Sequence, residues 1–448
     1  MRMLSLPEAA ALLRPDDTLA VPLGPGQPAA FLHALSARDD WRGLTVFGAL
    51  LTDFFPLFTR PGVTLHSGFF GPVERALRAA GHTVAFIPAD FRRFAHLARA
   101  MAPRVMGTTA APPDAGGWLS LSLHAGATVE ELHRCGRDPG RLLVVEVNPK
   151  LPRTLGLPPA HRHALHVDEV DVVVESDRDV VALPVAEPDE VERRIAGHAC
   201  RFVPEGATLQ TGIGGVPGQI ARLLAAGSGG DYGIHTEMFT DGLMELCRSG
   251  KVTNRKGLFD GISTATFALG SRALYDWLDG NESVRFLPID QTNDPALIAR
   301  NRRMISINGA LSVDLLGQVV ADRIGDEEYS GIGGHEEFVS GAGFSEGGRS
   351  LICLPSSART RHGVVSRIVH GFAPGASVTT PRHQVDVIVT EYGAAELAGR
   401  TVAERARALI EVAHPAVRAA LRGQRRELPV IEAPAEGAAV AAAKGAGR

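Results

Sequence analysis

Cysteine is scarce and scattered. Cys135, Cys200, Cys247 and Cys353 stand far apart in a chain of 448 residues. They form no CxxC pair and no cluster with metal-ligand spacing, so neither a disulfide framework nor a cysteine-held metal organises this protein. Each is expected to act as a small buried apolar residue, which suits a reducing cytoplasm. Long apolar runs are also missing: the hydrophobic stretches are strand-sized and too short to span a bilayer. The opening Met-Arg-Met-Leu-Ser-Leu-Pro-Glu has neither an apolar core segment nor a cleavage pattern, so no secretory signal is expected. Nor does one charge dominate. A net charge of −4 provides no bulk attraction to nucleic acid or to an anionic membrane. Tryptophan is rare, and Trp41, Trp118 and Trp277 are expected to pack.

What is present reads as an ordinary globular enzyme, with 45% hydrophobic and 21% charged residues. The length allows two or three domains, and either half is long enough to bury a core. Short β-rich runs (44–47, 142–147, 170–174, 351–354, 385–389) alternate with helix-like segments (28–38, 73–80, 216–226, 295–301, 402–412). That alternation predicts an α/β architecture with buried, largely parallel strands. A weak internal repeat relates Asp17–Pro28 to Ala207–Pro217: a Thr-Leu strand, a glycine-rich turn, a proline and an apolar helix. Two similar domains follow, expected at 1–190 and 191–432, with the acidic, proline-rich 184–193 as boundary. The Ala/Gly-rich tail 433–448 lacks periodicity and is expected to be disordered.

Glycine clusters mark candidate ligand loops. Strand, glycine-rich turn and helix together bring backbone amides close to an anion. Gly212, Gly214 and Gly215 fit that pattern, with Pro217 suited to the first helical turn. The spacing is neither GxGxxG with a later acidic residue nor GxxxxGK[ST], so dinucleotide and P-loop readings are disfavoured. Further clusters lie at Ser330–Gly334 and Ser340–Gly348. Each by itself is also satisfied by a tight turn; together they point to one extended cleft.

The run Gly233-Ile-His-Thr-Glu-Met-Phe-Thr-Asp-Gly242 places Glu237 between a strand-like segment and a helix. Asp241 or Thr240 is expected to cap that helix. Glu237 precedes it, where a side chain can project into a cleft. A carboxylate there is capable of nucleophilic attack on a thioester, although an isolated loop glutamate is more often a solvated charge.

The second half resembles the acetyl-CoA hydrolase/transferase family, class I CoA-transferases that include 4-hydroxybutyrate and acetate CoA-transferases. The resemblance runs collinearly over residues 205–420, through Gly212-Ile-Gly-Gly-Val-Pro217, Gly233-Ile-His-Thr-Glu-Met238 and Pro288-Ile-Asp-Gln-Thr-Asn-Asp-Pro295. It continues through 307–319, Tyr329-Ser-Gly-Ile-Gly-Gly334, 365–368, 379–383 and 389–393. The first half matches less sharply, at 69–71, 116–122 and 145–156. The resemblance implies two open α/β domains of the CoA-transferase type with the active site between them, and a homodimer or higher assembly. It implies coenzyme A as co-substrate, a small carboxylate as partner and no metal. It implies that Glu237 forms a glutamyl-CoA thioester, that the Gly334 amide helps form an oxyanion hole and that Asn293 lies beside the reacting acyl group. Gly212, Ile213, Gly214, Gly215 and Val216 correspond to the CoA-binding loop; Asn308, Ala310, Ser330 and Gly333 correspond to positions lining the CoA cleft.

There are departures. After Gly333-Gly334 the family usually has Gln-x-Asp-Phe, and here stands His335-Glu336-Glu337-Phe338. His335 admits a general-base reading and an equal reading as a neutral substitute for glutamine. A position that is often lysine is Glu346, for which nearby Arg349 is a candidate replacement. His161, His163 and His362 have no metal-like partners and are expected in surface or loop roles; Arg359, Arg361 and Arg367 are expected on a solvated basic face, and Glu391 at a structural strand-end turn. Three rivals to CoA transfer stay open at this level: acyl-CoA hydrolysis, a sugar-phosphate isomerase with Glu237 as base, and a non-catalytic CoA-binding module.

Overall fold

The computed structural model describes residues 1–185, 187–360 and 363–423. The expected tail at 433–448 and the residues Arg361 and His362 lie outside the described residues.

Two parallel sheets organise the chain. Numbering only their strands, the first sheet contains β1 (Arg2–Met3), β2 (Thr18–Ala20), β3 (Leu44–Gly48), β4 (Val63–Ser67), β5 (Val84–Phe86), β6 (Val105–Ala110), β7 (Leu142–Val147) and β8 (Val172–Glu175). Their order is β1-β8-β7-β6-β2-β3-β4-β5. The second contains β9 (Thr208–Thr211), β10 (Gly233–Ile234), β11 (Met304–Gly309), β12 (Arg349–Cys353), β13 (Val387–Thr390) and β14 (Gly393–Glu396), ordered β10-β9-β11-β12-β13-β14. Only β14 is antiparallel, paired to β13. Buried parallel strands need apolar side chains on both faces, and Leu142–Val147 is buried at every position.

The two sheets share a plan. The run β3-β2-β6-β7-β8 in the first corresponds to β10-β9-β11-β12-β13 in the second. In each, the strand of the repeated Thr-Leu motif leads through a glycine turn into a helix, Ala29–Ser36 or Gly215–Ala226. The β-rich runs and helix-like segments read from sequence correspond to elements here, the helix Val402–Val412 at both ends. The segment at 295–301 is helical only over Pro295–Ile298, after which Asn301 turns its amide back to the Ile298 carbonyl. Among the described residues, no helix is long and apolar enough to cross a membrane.

The thiols follow the expectation in part. Cys135 and Cys353 are buried, whereas Cys200 and Cys247 are only partly so. Burial pushes all four upward, to about 11 for Cys135 and Cys200 and about 12 for Cys247 and Cys353. They are therefore poor nucleophiles.

Topology places the strand ends that matter on one seam. The loops after β3 and β4 pack together, and the second of them, with the segment after β5, reaches the glycine run of the second half: the Phe70 amide donates to Ser330 O (3.3 Å) and the Phe91 amide to Gly333 O (2.9 Å). Leu50 and Phe69 tie the two loops together, N to O at 2.9 Å. Beneath them lies Glu74, fully buried. Its carboxylate accepts from the Leu51 amide at 2.7 Å and the Gly71 amide at 2.8 Å. Removing that acceptor leaves two buried N–H groups without partners. Glu74→Ala is expected to destabilise the protein by about 2–5 kcal/mol, read from denaturant unfolding; a loss under about 1 kcal/mol would show that these loops hold without it.

Candidate active site

Glu237 sits in a short crossover between β10 and the helix Asp241–Arg248. Its backbone is clamped, since its carbonyl accepts from the amides of Thr266 (3.0 Å) and Phe267 (3.2 Å). Thr236 is fully buried and donates to Met238 O at 3.1 Å. The side chain therefore leaves a fixed backbone and enters the seam between the halves.

Two donors meet its carboxylate. Asn293 Nδ2 donates to Glu237 Oε2 at 2.7 Å. The Gly334 amide is the second donor. Gly334 caps the amino end of the helix His335–Phe344, whose dipole favours negative charge there. Both glycines are needed for this approach. Gly333 holds φ +56, in the left-handed region. A Cβ on Gly334 would overlap both Glu237 Oε2 and Asn293 Nδ2. Asn293 itself is fully buried at the end of the helix Ile289–Thr292. His235 anchors that helix end, its ring Nε2 lying 2.8 Å from Thr292 O. Burial pushes His235 down to about 3, so the ring is neutral and serves as an N–H donor.

The other amide hydrogen of Asn293 goes to a second carboxylate, Glu337 Oε2, at 2.6 Å. Glu337 also accepts from the Arg92 amide of the first half at 2.8 Å. One amide thus bridges a half-buried acid, Glu237, and a buried one, Glu337. Desolvation pushes Glu237 up to about 7, with Asn293 and Gly334 pulling it back. Desolvation likewise pushes Glu337 up to about 8, and the neighbouring Glu237 charge adds to the rise. Both acids are thus raised, and because they share one amide and repel each other they titrate as a coupled pair.

Glu237 faces a large apolar chamber. Its volume is about 490 Å³, and its lining includes Gly333, Met238, Phe267 and the β3 and β4 loops of the first half. Leu183, Ile213 and Leu269 line this chamber and also a shallower outer depression of about 130 Å³. Gly212, Gly214 and Arg222 line the outer depression. The two recesses thus adjoin, with Ile213 of the 212–214 loop common to both.

The predicted site residues separate into groups. Glu237, Asn293, Gly333 and Gly334 converge, and Ile213 joins them through the chamber wall. Gly215 and Val216 begin the helix Gly215–Ala226, and Glu192 stands against Gly215, so the amino end of that helix already faces a carboxylate. Asn308 ends β11 and is held by Gln210 (3.3 Å) and Ser306 (2.7 Å). Ala310 accepts from Arg367 at 3.4 Å, and Ser330 receives the Phe70 amide. Asn308, Ala310 and Ser330 do not line the chamber.

Several expectations need correction. Asp241 does not cap its own helix. It accepts from the Ser271 amide (2.9 Å) and hydroxyl, fastening the start of the helix Arg272–Leu278, and Thr240 occupies the cap position without a side-chain bond. Arg349 cannot replace a lysine at Glu346: it is engaged by Asp386 (2.6 Å) and Glu396 (2.9 Å) at the start of β12, the end of the strand away from the site. His163 lies in a loop, as one alternative had it, but is buried there rather than at the surface, 2.7 Å from Ser122 O and stacked on Phe286. Arg367 is half-buried, not on a solvated face, and its desolvated guanidinium is shifted downward. His335 is buried, its Nε2 engaged 2.9 Å from Thr380 Oγ1 and its pKa pushed down to about 4 by burial, and it does not line the chamber, which weighs against the general-base reading. Glu391 does act structurally, accepting from the Ser356 amide (2.8 Å) and hydroxyl (2.6 Å).

Three participants escaped sequence reasoning. Glu337 registered only as a departure, His235 only as part of a motif, and the phenylalanines of the first half not as a group. A signal for the last existed: the chain has 18 Phe against four Tyr and three Trp.

Comparison with known proteins was informative at this point. A model of the acetyl-CoA hydrolase/transferase C-terminal domain matches residues 270–425. The succinyl-CoA:cyclohexane-1-carboxylate CoA transferase of Geobacter metallireducens is 37% identical over 94% of this chain and 94% of its own. The 4-hydroxybutyrate coenzyme A transferase of Clostridium kluyveri is 39% identical over 70% of each chain. The crystal structure of RipA from Yersinia pestis superposes with a TM-score of 0.84 at 33% identity, covering 94% of this chain and 96% of that one.

The raised Glu237 acid has a measurable consequence. A carboxyl whose folded pKa exceeds its unfolded value binds more protons in the native state, so its ionisation weakens the fold as pH rises from about 4.5 through about 7. Glu237→Gln removes that penalty. The variant is expected to gain unfolding free energy over the parent by up to about 3 kcal/mol at pH 8.5 and by little at pH 5. An equal difference at both pH values would contradict the raised acid. In parallel, the carboxyl resonance of isotope-labelled Glu237 should titrate near 7 and move upward in Asn293→Ala.

Proposed function

Because this chain belongs to the acetyl-CoA hydrolase/transferase family, we propose that it is a CoA-transferase moving coenzyme A between an acyl-CoA and a short carboxylic acid, with Glu237 as nucleophile. The carrying observation is the pair of donors on Glu237. Asn293 Nδ2 at 2.7 Å and the helix-end amide of Gly334 meet one desolvated carboxylate that opens on a chamber.

In this reading, the ionised Glu237 oxygen attacks the thioester carbonyl. The carbon–sulfur bond breaks, giving an acyl-glutamyl anhydride and CoA thiolate. The thiolate attacks the glutamyl carbonyl, forming glutamyl-CoA and releasing the first carboxylate. An acceptor carboxylate then attacks glutamyl-CoA, and the two steps run in reverse to release a new acyl-CoA and regenerate Glu237. This is ping-pong covalent catalysis. Each tetrahedral intermediate places negative charge on an oxygen, for which the Gly334 amide and Asn293 Nδ2 are preorganised donors. The pantetheine arm enters by the outer depression past Gly212, Ile213 and Gly214, with the remaining loop and cleft residues named from the sequence supporting it. Binding energy gained there holds the thioester against Glu237.

The division of the chain into 1–190 and 191–432 belongs to the same reading: the first part supplies chamber walls, the second the nucleophile and its donors. So do a cytoplasmic setting, suited to four unpaired thiols, and a homo-oligomeric state. Hydrolysis is the nearest alternative, and what separates the two is whether water reaches the anhydride or glutamyl-CoA. The apolar chamber around Glu237 favours transfer.

Incubation with an acyl-CoA followed by borohydride or hydroxylamine trapping should modify Glu237, detected by peptide mass spectrometry, with CoA release strictly dependent on an added carboxylate. Glu237→Gln should lose the adduct and nearly all turnover. Gly334→Ala, which crowds both donors, should lower turnover by roughly 10²–10³-fold. Exchange at the parental rate in Glu237→Gln would refute the nucleophile; CoA release indifferent to acceptor would replace transfer by hydrolysis.

A further inference from the structure

We infer that the acyl group handled by this site is a bulky apolar monocarboxylate, branched, alicyclic or aromatic, and that dicarboxylates are rejected. The inference rests on the proposed CoA transfer at Glu237 and goes on to specify its substrate class.

Size is the first argument. An apolar cavity of about 150 Å³ accommodates a benzene ring. The chamber at Glu237 encloses about 490 Å³. An acetyl group beside a pantetheine end would leave much of that space unfilled, and unfilled apolar space forfeits contacts on every wall. A six-membered ring on the thioester carbonyl fills it better.

The shape of the wall is the second argument. Phe47 and Phe94 meet at 5.9 Å between ring centroids, Phe94 and Phe91 at 6.5 Å, and Phe91 and Phe267 at 6.1 Å. All four rings are buried, and all line the chamber. They form a continuous aromatic band, which is a rigid surface for another ring. Gly68 is part of this construction, because a Cβ there would overlap the Phe94 ring. Leu50 closes the rim with φ +48, in the left-handed region that residues with a Cβ avoid. Its backbone is held by the Phe69 carbonyl, and the adjoining amide of Leu51 by Glu74. Such strain is retained where the surroundings over-determine it, and here the result is one more apolar side chain at the chamber wall.

Charge is the third argument. Among the described residues lining the chamber there is no lysine or arginine. Its histidine, His124, is pushed down to about 3 by burial and by nearby His163, and is neutral. The only charge-bearing group is Glu237. A second substrate carboxylate would be desolvated beside a carboxylate with no cation to pair it.

The test is a competition among acceptors, with acetyl-CoA as donor and product acyl-CoA resolved by chromatography and mass. The acceptors are cyclohexane-1-carboxylate, phenylacetate, propanoate and succinate. The inference expects kcat/KM for one or both ring acids to exceed propanoate by at least about tenfold and succinate by at least about a hundredfold. Leu50→Arg, at the half-buried rim, should then lower use of the ring acids by tenfold or more and narrow their lead over succinate. Propanoate or succinate used as well as the ring acids by the parent protein overturns the substrate class and leaves CoA transfer standing. Transfer to none of the acids, with no adduct on Glu237 from acetyl-CoA or from the CoA thioester of a ring acid, overturns the CoA-transfer reading and this inference with it.

Discussion

Everything at this site depends on keeping one carboxylate dry without silencing it. Burial alone drives a glutamate toward its neutral form, and Glu237 is raised to about 7. A neutral acid is no nucleophile. A fully hydrated one would be ionised but shielded by its water. The structure settles between these limits with two fixed donors: a side-chain amide and the first amide of a helix. Neither donor reorganises when charge moves, because Asn293 is fully buried and Gly334 is part of a helix end. Such preorganisation is what makes donors effective in a low-dielectric cleft.

That constraint explains the division of labour between the halves. The second half fixes the carboxylate, its donors and the glycine loop at the outer depression. The first half provides aromatic walls and presses its 68–70 and 90–92 loops onto the 330–333 glycine run. A side chain on Gly331 would overlap the Gly68 carbonyl, so the contact needs glycine. The shared strand order of the sheets gives each half similar loops at the carboxyl ends of its strands, where ligands of open α/β sheets bind. Two such edges facing one another make a chamber that neither encloses alone.

How much of this the sequence carried varied with the range of the interaction. Alternation of apolar runs and amphipathic segments is local, and it located strands and helices such as 142–147 and 402–412 closely. The repeat at 17–28 and 207–217 is also local, and the matching sheets bear out the similarity it implied. Motifs within one segment placed Glu237 before its helix. What failed was pairing at a distance. Asp241 looks like a cap until Ser271 is seen to claim it; Arg349 looks free until Asp386 and Glu396 are brought alongside. The aromatic band gathers Phe47 from β3, Phe91 and Phe94 from around the start of one helix and Phe267 from a short strand of the second half, and no periodicity joins the three segments. His335 illustrates the same limit: its neutrality comes from burial against Thr380, a residue 45 positions away.

Glu337 gives the departure from the family pattern a physical meaning. Asn293 has two amide hydrogens, and each is committed to a carboxylate: Glu237 on one side, Glu337 on the other. With both acids ionised, two charges would share one neutral donor, so both are raised and the pair tends to retain a proton. In the proposed cycle, acylation or thioesterification of Glu237 removes its charge. The repulsion that helps hold the proton on Glu337 then disappears, and that acid becomes easier to ionise. When the thiolate takes the new acyl group from the anhydride and Glu237 regains its charge, that repulsion returns. The two acids thus form one titrating unit read through a single amide.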